Sequence, residues 1–528
     1  MMIVGTDRPD SAGNLTAGSR VVDARLCAAV FAFFLALFWL TNTGFDTSEA
    51  DNHYRVAEHI LARGQLGFAE EQTGIFTKAP NSRWYASHEL GNTVLLLPAA
   101  ALNRTAVTWV LRGRDAEFIR YAKGFIISLH PGVYIAATLT AVFALLMSVF
   151  GLRLAMAALS TLLLGVTTYL WTYSRILFDG VLCTALLTIS TLLLFQYRTN
   201  RRLFFLTGAF ALAGFAVVTR VSMVLAVIAS LAYVLALEWR RPSAAVRLVL
   251  IAVVTLLPFA IWQMWYNDLR TGMPLLSPVQ MEQYASNNAL DGPILVGLAG
   301  LLFSPGKSVF VYSPLAALGV VLFHRFRARF PAESIYVGVL LVLWFVVHAK
   351  LRDPHGAWGW GPRHFVTIVP IMFLPFAVEL PTVLANRWYR RSAYVLAGWG
   401  FVLALSSIVS NWHFRMGLAV VEGRIAGRQF VWSLMNSQAV DMVSALPGNL
   451  LRWLGEKPLL EVPGASPLNT YASSTVNVWP NTVIRVGIPL PLVLLTVTVL
   501  IGVCVTSALF VVRHARREQE FEREVGRR

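Results

Sequence analysis

Long apolar runs separated by short polar junctions dominate this sequence. A membrane-spanning helix needs about 20 predominantly apolar residues, and twelve of the runs reach or approach that length. The predicted spans are residues 26–41, 125–148, 154–171, 178–197, 203–219, 221–238, 248–266, 308–323, 333–349, 365–384, 392–410 and 485–511. The pattern therefore predicts an all-α polytopic membrane protein, a bundle of about 12 transmembrane helices.

Arginine-rich junctions between the runs set the predicted orientation. Lys and Arg collect in the cytoplasmic loops of membrane proteins, so we place residues 1–25 and the most basic junctions in the cytoplasm. These junctions are Arg198/Arg201/Arg202, Arg240/Arg241/Arg247, Arg325/Arg327/Arg329, Arg387/Arg390/Arg391 and the tail Arg513–Arg517. Twelve crossings put all of them inside, whereas a thirteenth crossing at 90–111 would invert every one.

The short apolar run at 90–103 is therefore predicted to be a re-entrant or interfacial helix on the outer face. It belongs to a first outer loop, 42–124, within a transmembrane catalytic region that covers 26–410. This placement leaves several basic residues outside, against the positive-inside tendency. Residues 411–484 are too many for a simple connector and are predicted to form a small extracytoplasmic cap. The last transmembrane helix and a cytoplasmic tail follow in 485–528.

The first outer loop contains an amphipathic segment. Residues 52–63 place their apolar side chains at i, i+1, i+4 and i+5, namely Val56, Ala57, Ile60 and Leu61. This spacing is typical of a helix that lies in the membrane interface. Gly64 follows as the predicted end of the helix.

Composition supports the membrane assignment and narrows the partners. Of the 528 residues, 56% are hydrophobic and only 14% are charged, against about 25% charged in soluble domains. The net charge of +16 is explained by basic cytoplasmic loops, so no nucleic-acid partner is expected. The three cysteines, Cys27, Cys183 and Cys504, all lie in apolar runs and suggest neither a disulfide framework nor a zinc site.

An acidic cluster directly after the first span is the leading candidate for chemistry. Asp46, Glu49 and Asp51 fall within six residues, just before the amphipathic segment. Carboxylates also favour the first turn of a helix for electrostatic reasons, which would leave them structural. We predict instead that one of the three is a catalytic base, and we prefer Asp51.

Three further junctions carry cations beside apolar runs. Arg175 and Asp179 are one helical turn apart and would pair with each other, but ionisable groups this close to a span are costly and indicate function. Arg220 has no sequence-adjacent acid, so its partner must be elsewhere. Lys307 lies in Leu302–Ser308, which nearly imitates a nucleotide-binding P-loop but lacks the required glycine and the strand–loop–helix setting.

A Gly-rich turn with aromatic residues makes up the last candidate junction. Within Arg352–His364, the rings of Trp358 and Trp360 suit a sugar or an isoprenoid chain, and Arg363 offers a bidentate phosphate fork. An interfacial aromatic belt with a snorkelling arginine is the structural alternative. Arg175, Arg220, Lys307 and Arg363 are accordingly our predicted phosphate ligands.

One chemistry would use all of these junctions together. In a lipid-linked sugar phosphate the tail lies in the membrane, the phosphate at the interface and the sugar above it. Cations would hold the phosphate, which is already a good leaving group, and one carboxylate would deprotonate the acceptor hydroxyl for an inverting displacement. Glycosidases, in contrast, usually need two carboxylates.

The motifs in their order resemble the GT-C superfamily of polyprenyl-phosphate-sugar glycosyltransferases, and within it the bacterial relatives of the protein mannosyltransferase and aminoarabinose transferase group. The resemblance covers about residues 26–384. It rests on Asp51-Asn52-His53-Tyr54, Trp84–Gly91, Leu170–Arg175 with Asp179, Thr219-Arg220, Phe303–Lys307 and Trp360–Arg363. A lysine frequent in the second outer motif of the superfamily is missing from the His88 region, and the acidic pair of the first loop is interrupted by Ala50.

The resemblance implies a GT-C-like bundle in the plasma (inner) membrane with its active site on the extracytoplasmic face. It also implies a polyprenyl-phosphate sugar donor, a surrounding membrane lipid and a glycan, lipid or protein acceptor. The implied substrate-binding residues are His53, Tyr54, Tyr85, His88, Glu89, Asp179, Trp358 and Trp360.

No cofactor is required by this chemistry and no dedicated metal site is predicted, although Asp51, Asp179 and His53 would chelate a divalent ion if they meet. Two alternatives to the transferase stay open at this point. A transporter or flippase of a lipid-linked saccharide would also use intramembrane arginines, and an assembly subunit would keep the fold without the activity. Transporters are often built from inverted repeats with broken helices near the middle of the membrane. Here the polar junctions gather on one face, which favours the transferase.

Overall fold

Helices account for almost all of the regular structure in a computed structural model of the chain, which describes residues 22–44, 50–114, 116–278, 289–356, 359–423, 429–460 and 467–527. In the first half the helices are α1 (Ala24–Leu40), α2 (Ala50–Arg63), α3 (Gly91–Trp109), α4 (Ala116–Ser128), α5 (His130–Ser148), α6 (Leu154–Val166), α7 (Leu170–Tyr173), α8 (Asp179–Asn200), α9 (Leu203–Val217), α10 (Val224–Leu237) and α11 (Pro242–Thr271). Two 3₁₀ helices occupy Val221–Met223 and Arg363–Ile368.

The second half continues in the same way. Its helices are α12 (Ile294–Phe303), α13 (Val309–Tyr312), α14 (Leu315–Arg329), α15 (Pro331–Ala349), α16 (Val369–Val378), α17 (Leu380–Ala385), α18 (Arg387–Val409), α19 (Trp412–Val421), α20 (Gln429–Trp432), α21 (Gln438–Trp453), α22 (Pro467–Ser474), α23 (Trp479–Arg485) and α24 (Leu490–Arg527). Each of the twelve predicted spans coincides with one or more of these helices.

Six helical segments of the described chain are long and apolar enough to cross a membrane. They are Phe118–Ser148, Asp179–Asn200, Pro242–Thr271, Pro331–Ala349, Arg387–Val409 and Leu490–Val525. Six shorter apolar helices accompany them. The prediction of an all-α, multi-pass membrane protein is thereby confirmed.

The run predicted as re-entrant or interfacial forms α3, which contains Pro98 and is not among these candidate spans.

One small antiparallel hairpin interrupts the helical pattern. Strand β1 (Phe76–Lys78) pairs with β2 (Trp84–Ala86), with Thr77 opposite Tyr85. The sequence analysis did not predict it.

The amphipathic segment of the first outer loop is α2, and it ends as predicted at Gly64, whose φ is +67°. Val56 and Ala57 are buried, which agrees with the predicted apolar face. Two polar side chains, Asn52 and His53, share this buried face. The helix therefore carries polar groups into the protein as well as apolar ones.

Helix α8 is buried along most of its length and lies at the centre of the bundle, where it packs against α5, α9 and the 3₁₀ helix Arg363–Ile368. It begins at Asp179 and carries Arg198 near its other end, where the guanidinium forms an ion pair with the buried Glu333 at 2.6 Å. With a rise of 1.5 Å per residue, the 22 residues of α8 span about 33 Å, close to the thickness of a bilayer core. Asp179 and the first basic junction thus lie about one membrane thickness apart.

Candidate functional site

The carboxylate of Asp179 is the centre of a buried polar cluster. Asp179 Oδ1 lies 3.1 Å from His53 Nε2 and accepts a 2.5 Å hydrogen bond from Asn92 Nδ2. Asp179 Oδ2 lies 3.9 Å from His88 Nδ1. The first outer loop thus supplies three polar side chains to the amino-terminal end of the central helix. A carboxylate in such a place is stabilised only if it is paired or hydrogen-bonded, and this one is both.

Each partner of Asp179 is positioned by its own element. His53 comes from the buried face of α2, and its Nδ1 lies 3.1 Å from Thr93 Oγ1. Asn92 and Thr93 occupy the first turn of α3, which sits against the Val218–Arg220 junction, since Gly91 N donates to Val218 O at 3.1 Å. A Cβ at Gly91 would lie 1.9 Å from Thr219 Oγ1, so the close approach requires glycine.

Arg270, at the end of α11, fixes the turn that carries His88. Its guanidinium is fully buried and donates to the carbonyls of Ala86, Ser87 and His88 at 3.0–3.3 Å. The same guanidinium forms an ion pair with Glu89 at 2.8 Å, and Gln263 Nε2 donates to the same Glu89 oxygen at 2.9 Å. Burial raises the pKa of Glu89, and the nearby Arg270 opposes this rise.

Two of the predicted phosphate ligands lie close to the start of α8. Arg220 Nη2 is 2.8 Å from His364 Nδ1, and a Cβ at Gly180 would lie 3.1 Å from Arg220 Nη1. The guanidinium of Arg363 lies over the ring of Phe178, 5.6 Å from its centroid. Since Phe178 and Gly180 flank Asp179, both cations border the polar cluster. A carboxylate, several imidazoles and two guanidinium groups thus lie around the start of α8.

Lys307 holds the loop that carries Arg363. It lies in the turn between α12 and α13, is fully buried, and donates from Nζ to the carbonyl of Gly359 and, at 3.0 Å, to that of Gly361. The pKa of Lys307 is lowered to about 7, chiefly because the amine is buried; Asp353 acts to raise this pKa and Arg363 to lower it. The P-loop-like motif therefore anchors a neighbouring loop through backbone carbonyls.

The segment predicted as a cap contacts this loop. Gly306 N donates to Val431 O at 3.1 Å, Lys307 Nζ lies 5.5 Å from the centroid of the Phe430 ring, and Gly361 N donates to Gln438 Oε1 at 3.3 Å. Helices α20 and α21 therefore border the side of the site formed by Lys307 and Gly361.

Trp360, a predicted substrate ligand, is fully buried in this region. Its carbonyl accepts a 2.9 Å bond from Tyr173, and its ring meets that of Tyr312 edge to face at 5.2 Å. Its Nε1 has no hydrogen-bond partner among the described residues. The indole ring thus packs in the protein core, and its Nε1 can donate a hydrogen bond to a further partner.

Arg175 has a different environment from the other predicted phosphate ligands. Its buried guanidinium donates to the carbonyls of Ser407 and Ile408 at 3.3 and 2.7 Å, and to that of Asn477. These contacts tie the end of α18 to the segment before α23, and none of them belongs to the cluster around Asp179.

The predicted residues of the first outer loop divide into two groups. His53, His88 and Glu89 belong to the polar cluster or its border. Tyr54 donates instead to Glu58 at 2.8 Å, while the Tyr85 hydroxyl accepts from Asn81 at 3.0 Å.

Asp51 is on the opposite side of α2 from His53. Its side chain is 69% exposed and pairs with Arg55 at 3.1 Å. Asp46 and Glu49, the other candidate bases, and Trp358, a predicted substrate ligand, lie outside the described residues. The choice of base stays a prediction.

Sequence reasoning missed Asn92, Thr93, Arg270 and His364. Asn92 and Thr93 directly follow the His88-Glu89-Leu90-Gly91 motif, and His364 follows Arg363, so each was adjacent to a recognised signal. Arg270 had a weaker signal, a single cation at the end of a long apolar run before Gly272. What the sequence could not give was the partner of each residue, because each partner comes from a different segment of the chain.

The fold and the site define a polytopic membrane protein with a buried ionisable cluster at one end of its helix bundle. Among solved structures, the chain is similar to ArnT from Cupriavidus metallidurans bound to undecaprenyl phosphate, with 14% identity, a TM-score of 0.45, and coverage of 80% of this chain and 75% of that one. The apo state of the same ArnT matches with 13% identity, a TM-score of 0.44 and coverage of 80% and 74%.

A likeness at this identity and TM-score does not by itself define an activity. No protein-family model matches the chain, and no curated protein matches it in sequence.

Proposed function

We propose that the chain is an inverting glycosyltransferase that moves a sugar from a polyprenyl-phosphate donor to an acceptor on the extracytoplasmic face of the membrane. The observation that carries the proposal is the placement of Arg220 against Gly180 and of Arg363 over Phe178, the two neighbours of Asp179 at the start of α8. Two guanidinium groups at the end of a membrane helix suit a phosphate at the end of a lipid tail, since guanidinium and phosphate pair bidentately. Ionisable groups at such a depth otherwise carry a high cost.

In this reaction the donor phosphate leaves with the electrons of the bond to the anomeric carbon. Arg220 and Arg363 neutralise the charge that develops on the phosphate oxygens, which is the largest contribution expected in such a site. Lys307 acts through the backbone of the Gly359–Gly361 loop and keeps Arg363 in place. A Cβ at Gly359 would lie 2.7 Å from Arg363 Cδ, so the arginine stem is packed directly on that loop.

The acceptor hydroxyl attacks the anomeric carbon from the opposite side and loses its proton to a carboxylate of the acidic segment. Asp51 is the described candidate, with Glu49 and Asp46 as the others. Asp51 is water-facing and lies on the side of α2 away from His53, so this role requires the acceptor hydroxyl and the sugar to meet over the outer surface of α2. Helices α20 and α21 border the site, and we infer that this cap contributes to acceptor choice.

The test is mass spectrometry of polyprenyl-phosphate sugars in cells that lack the protein and are complemented with variants. One sugar lipid should accumulate without the protein and disappear with the native chain. Arg363→Ala and Arg220→Ala should each weaken donor binding by about 10- to 100-fold, since a hydrogen bond to a charged group contributes about 1.5–3 kcal/mol. Arg352→Ala is the matched control, because Arg352 lies on the same segment in an exposed pair with Asp291.

The same complementation identifies the base. Asp51→Asn should slow transfer by about 10²–10⁴-fold, the usual contribution of a general base, with donor binding unchanged. Glu71→Gln changes an exposed carboxylate of the same loop and should have no effect. Full activity in the Asp51, Glu49 and Asp46 variants alike would overturn the catalytic role of this segment.

Accumulation alone does not separate a transferase from a flippase, so the leaflet of the accumulated lipid is the deciding measurement. Loss of a transferase leaves the sugar lipid in the outer leaflet, where a membrane-impermeant oxidant reaches it in intact cells. Loss of a flippase leaves it in the inner leaflet, protected until the membrane is opened. Protection would contradict our proposal.

A further inference from the structure

The cluster around Asp179 contains the donor set of a transition-metal site. His53, His88 and Asp179 each offer a ligand atom, and these atoms all lie within 4.8 Å of one another. Two imidazoles and one carboxylate with a free fourth position form the usual ligand set of a catalytic zinc ion. Metal–ligand bonds of about 2.0–2.2 Å in tetrahedral geometry place ligand atoms about 3.3–3.5 Å apart. In the structure, His53 Nε2 lies 3.1 Å from Asp179 Oδ1 and His88 Nδ1 lies 3.9 Å from Asp179 Oδ2. The first distance is slightly shorter and the second slightly longer than the separation expected around a metal ion.

Unsatisfied polar atoms around the carboxylate point to a further ligand. Asn92 is fully buried, yet its Oδ1 has no hydrogen-bond partner among the described residues. His88 Nε2 and the Tyr134 hydroxyl also have no hydrogen-bond partner among the described residues. Tyr134 is 8% exposed and lies within electrostatic range of Asp179. A buried polar atom without a partner costs about 1–3 kcal/mol, so several of them around one carboxylate call for an explanation. A bound cation with its coordinated water would supply one.

The surroundings of His53 and Asp179 also match a metal site. Metal-binding imidazoles usually hold their second ring nitrogen in a hydrogen bond, and metal-binding carboxylates are themselves hydrogen-bonded. His53 meets Thr93 through its second nitrogen, and Asn92 donates to Asp179.

We propose that His53, His88 and Asp179 form a binding site for a divalent transition-metal ion of the zinc class. Imidazole donors select zinc, cobalt or nickel, whereas magnesium and calcium prefer oxygen donors alone. The role of the ion rests on the proposed function: between Asp179 and the two arginines, it would neutralise the phosphate of the donor. Binding of the ion itself does not depend on that role. Asp51, considered from the sequence as a third ligand, pairs instead with Arg55.

Binding is tested on the full-length chain in detergent, without donor or acceptor. The protein is treated with a chelator, dialysed and loaded with Zn²⁺ or Co²⁺ alone. Bound metal is then counted by mass spectrometry, and Co²⁺ coordination is read from its visible absorption. The native chain should retain one ion. Thr93→Val, which removes the support of the His53 ring, should lower the affinity by about 10–100-fold.

His88→Gln should lose the ion, and its fold is checked by gel filtration and thermal unfolding. His88 is a good position for this change because its side chain is partly exposed in a turn. His59→Ala is the matched control: His59 is on the same helix as His53 but stacks on Phe68, 4.2 Å between centroids. Equal metal retention by the native chain and a folded His88→Gln variant would overturn the site, as would equal loss in His59→Ala.

The two proposals fail in different ways. A chain that takes up no ion but transfers sugar would overturn the metal site and leave the proposed function standing. A chain that binds one ion through His88 but transfers no sugar would overturn the function and leave the site. Magnesium uptake in preference to zinc would contradict the imidazole ligand set.

Discussion

At the residue scale, the structure separates cations that the sequence presents as equivalent. Arg175, Arg220, Lys307 and Arg363 each sit beside an apolar run, and the sequence predicts one role for all four. In the fold, Arg220 and Arg363 lie against the residues that flank Asp179. Lys307 holds a loop, and Arg175 donates to carbonyls at the end of α18. A guanidinium next to an apolar run meets either a ligand or backbone carbonyls, and local sequence does not distinguish these partners.

Lys307 leads to a prediction about pH. Its pKa is about 7 in the fold against 10.5 for an ordinary lysine, so the unfolded chain binds more protons between these values. The contribution of Lys307 to the free energy of unfolding should therefore rise with pH from about 7 to 10 and be constant below about 7. Thermal unfolding of the native chain and of Lys307→Met in detergent measures this, since the variant should lack this part of the pH dependence.

The control for the Lys307 measurement is Lys350→Met, which changes an exposed lysine and should leave the native pH dependence unchanged. Parallel melting curves for the native chain and Lys307→Met between pH 7 and 10 would show that Lys307 stays charged in the fold.

At the scale of elements, the site depends on close contact between the start of α3 and the end of α9. Asn92 and Thr93 reach the cluster only because Gly91 lets the backbone approach Thr219.

The sequence predicted the elements well: α2 begins and ends within two residues of the predicted helix, and every predicted span is helical. Apolar periodicity and a terminal glycine are local signals, and they were sufficient for this level.

Substitution of Gly91 tests that contact. Gly91→Ala should destabilise the protein by about 1–3 kcal/mol, the usual cost of overpacking, because the neighbouring atoms include the Thr219 backbone, 2.7 Å from the added Cβ. Sugar transfer should fall as well, since Asn92 and Thr93 would shift. Thermal unfolding in detergent and the complementation assay are the measurements.

Gly398→Ala is the matched control, because Gly398 is also helical and a Cβ there meets nothing within 4 Å. The control should be neutral or slightly stabilising, as alanine favours helix. Equal melting temperatures for the two variants would contradict the role that we assign to Gly91.

At the scale of the whole molecule, the polar cluster and the basic junctions lie at opposite ends of α8. Arg198 pairs with Glu333 at the far end, and Arg329 pairs with the buried Glu379 at 2.9 Å at another basic junction. This arrangement follows from the positive-inside pattern together with helix length, and it supports a site on the side opposite the basic junctions.

Cysteine labelling tests the orientation directly. In a background where Cys27, Cys183 and Cys504 are replaced by serine, Glu71→Cys should react with a membrane-impermeant maleimide in intact cells. Glu524→Cys, on the extension of α24 that we predict to be cytoplasmic, should react only after the membrane is opened. Both side chains are exposed, so a reversed pattern would place the site on the cytoplasmic face.

The sequence by itself determined the class of the protein: a multi-pass helical bundle with ionisable residues at its junctions. Backbone polar groups in a membrane must find hydrogen bonds within the protein, which leaves few alternatives to helices, and each helix is specified by a run of consecutive residues. The same local information identified His53, His88, Asp179, Arg220 and Arg363 as candidates.

Only the tertiary structure decided which of these residues meet. Asp179 acquires its partners from α2, from the turn after β2 and from α3, and Arg270 on α11 fixes that turn. Asp51 and His53 are two positions apart, yet they face opposite sides of one helix, because two residues correspond to a rotation of about 200°. Contacts between distant segments depend on how the helices pack, and no local pattern contains that information.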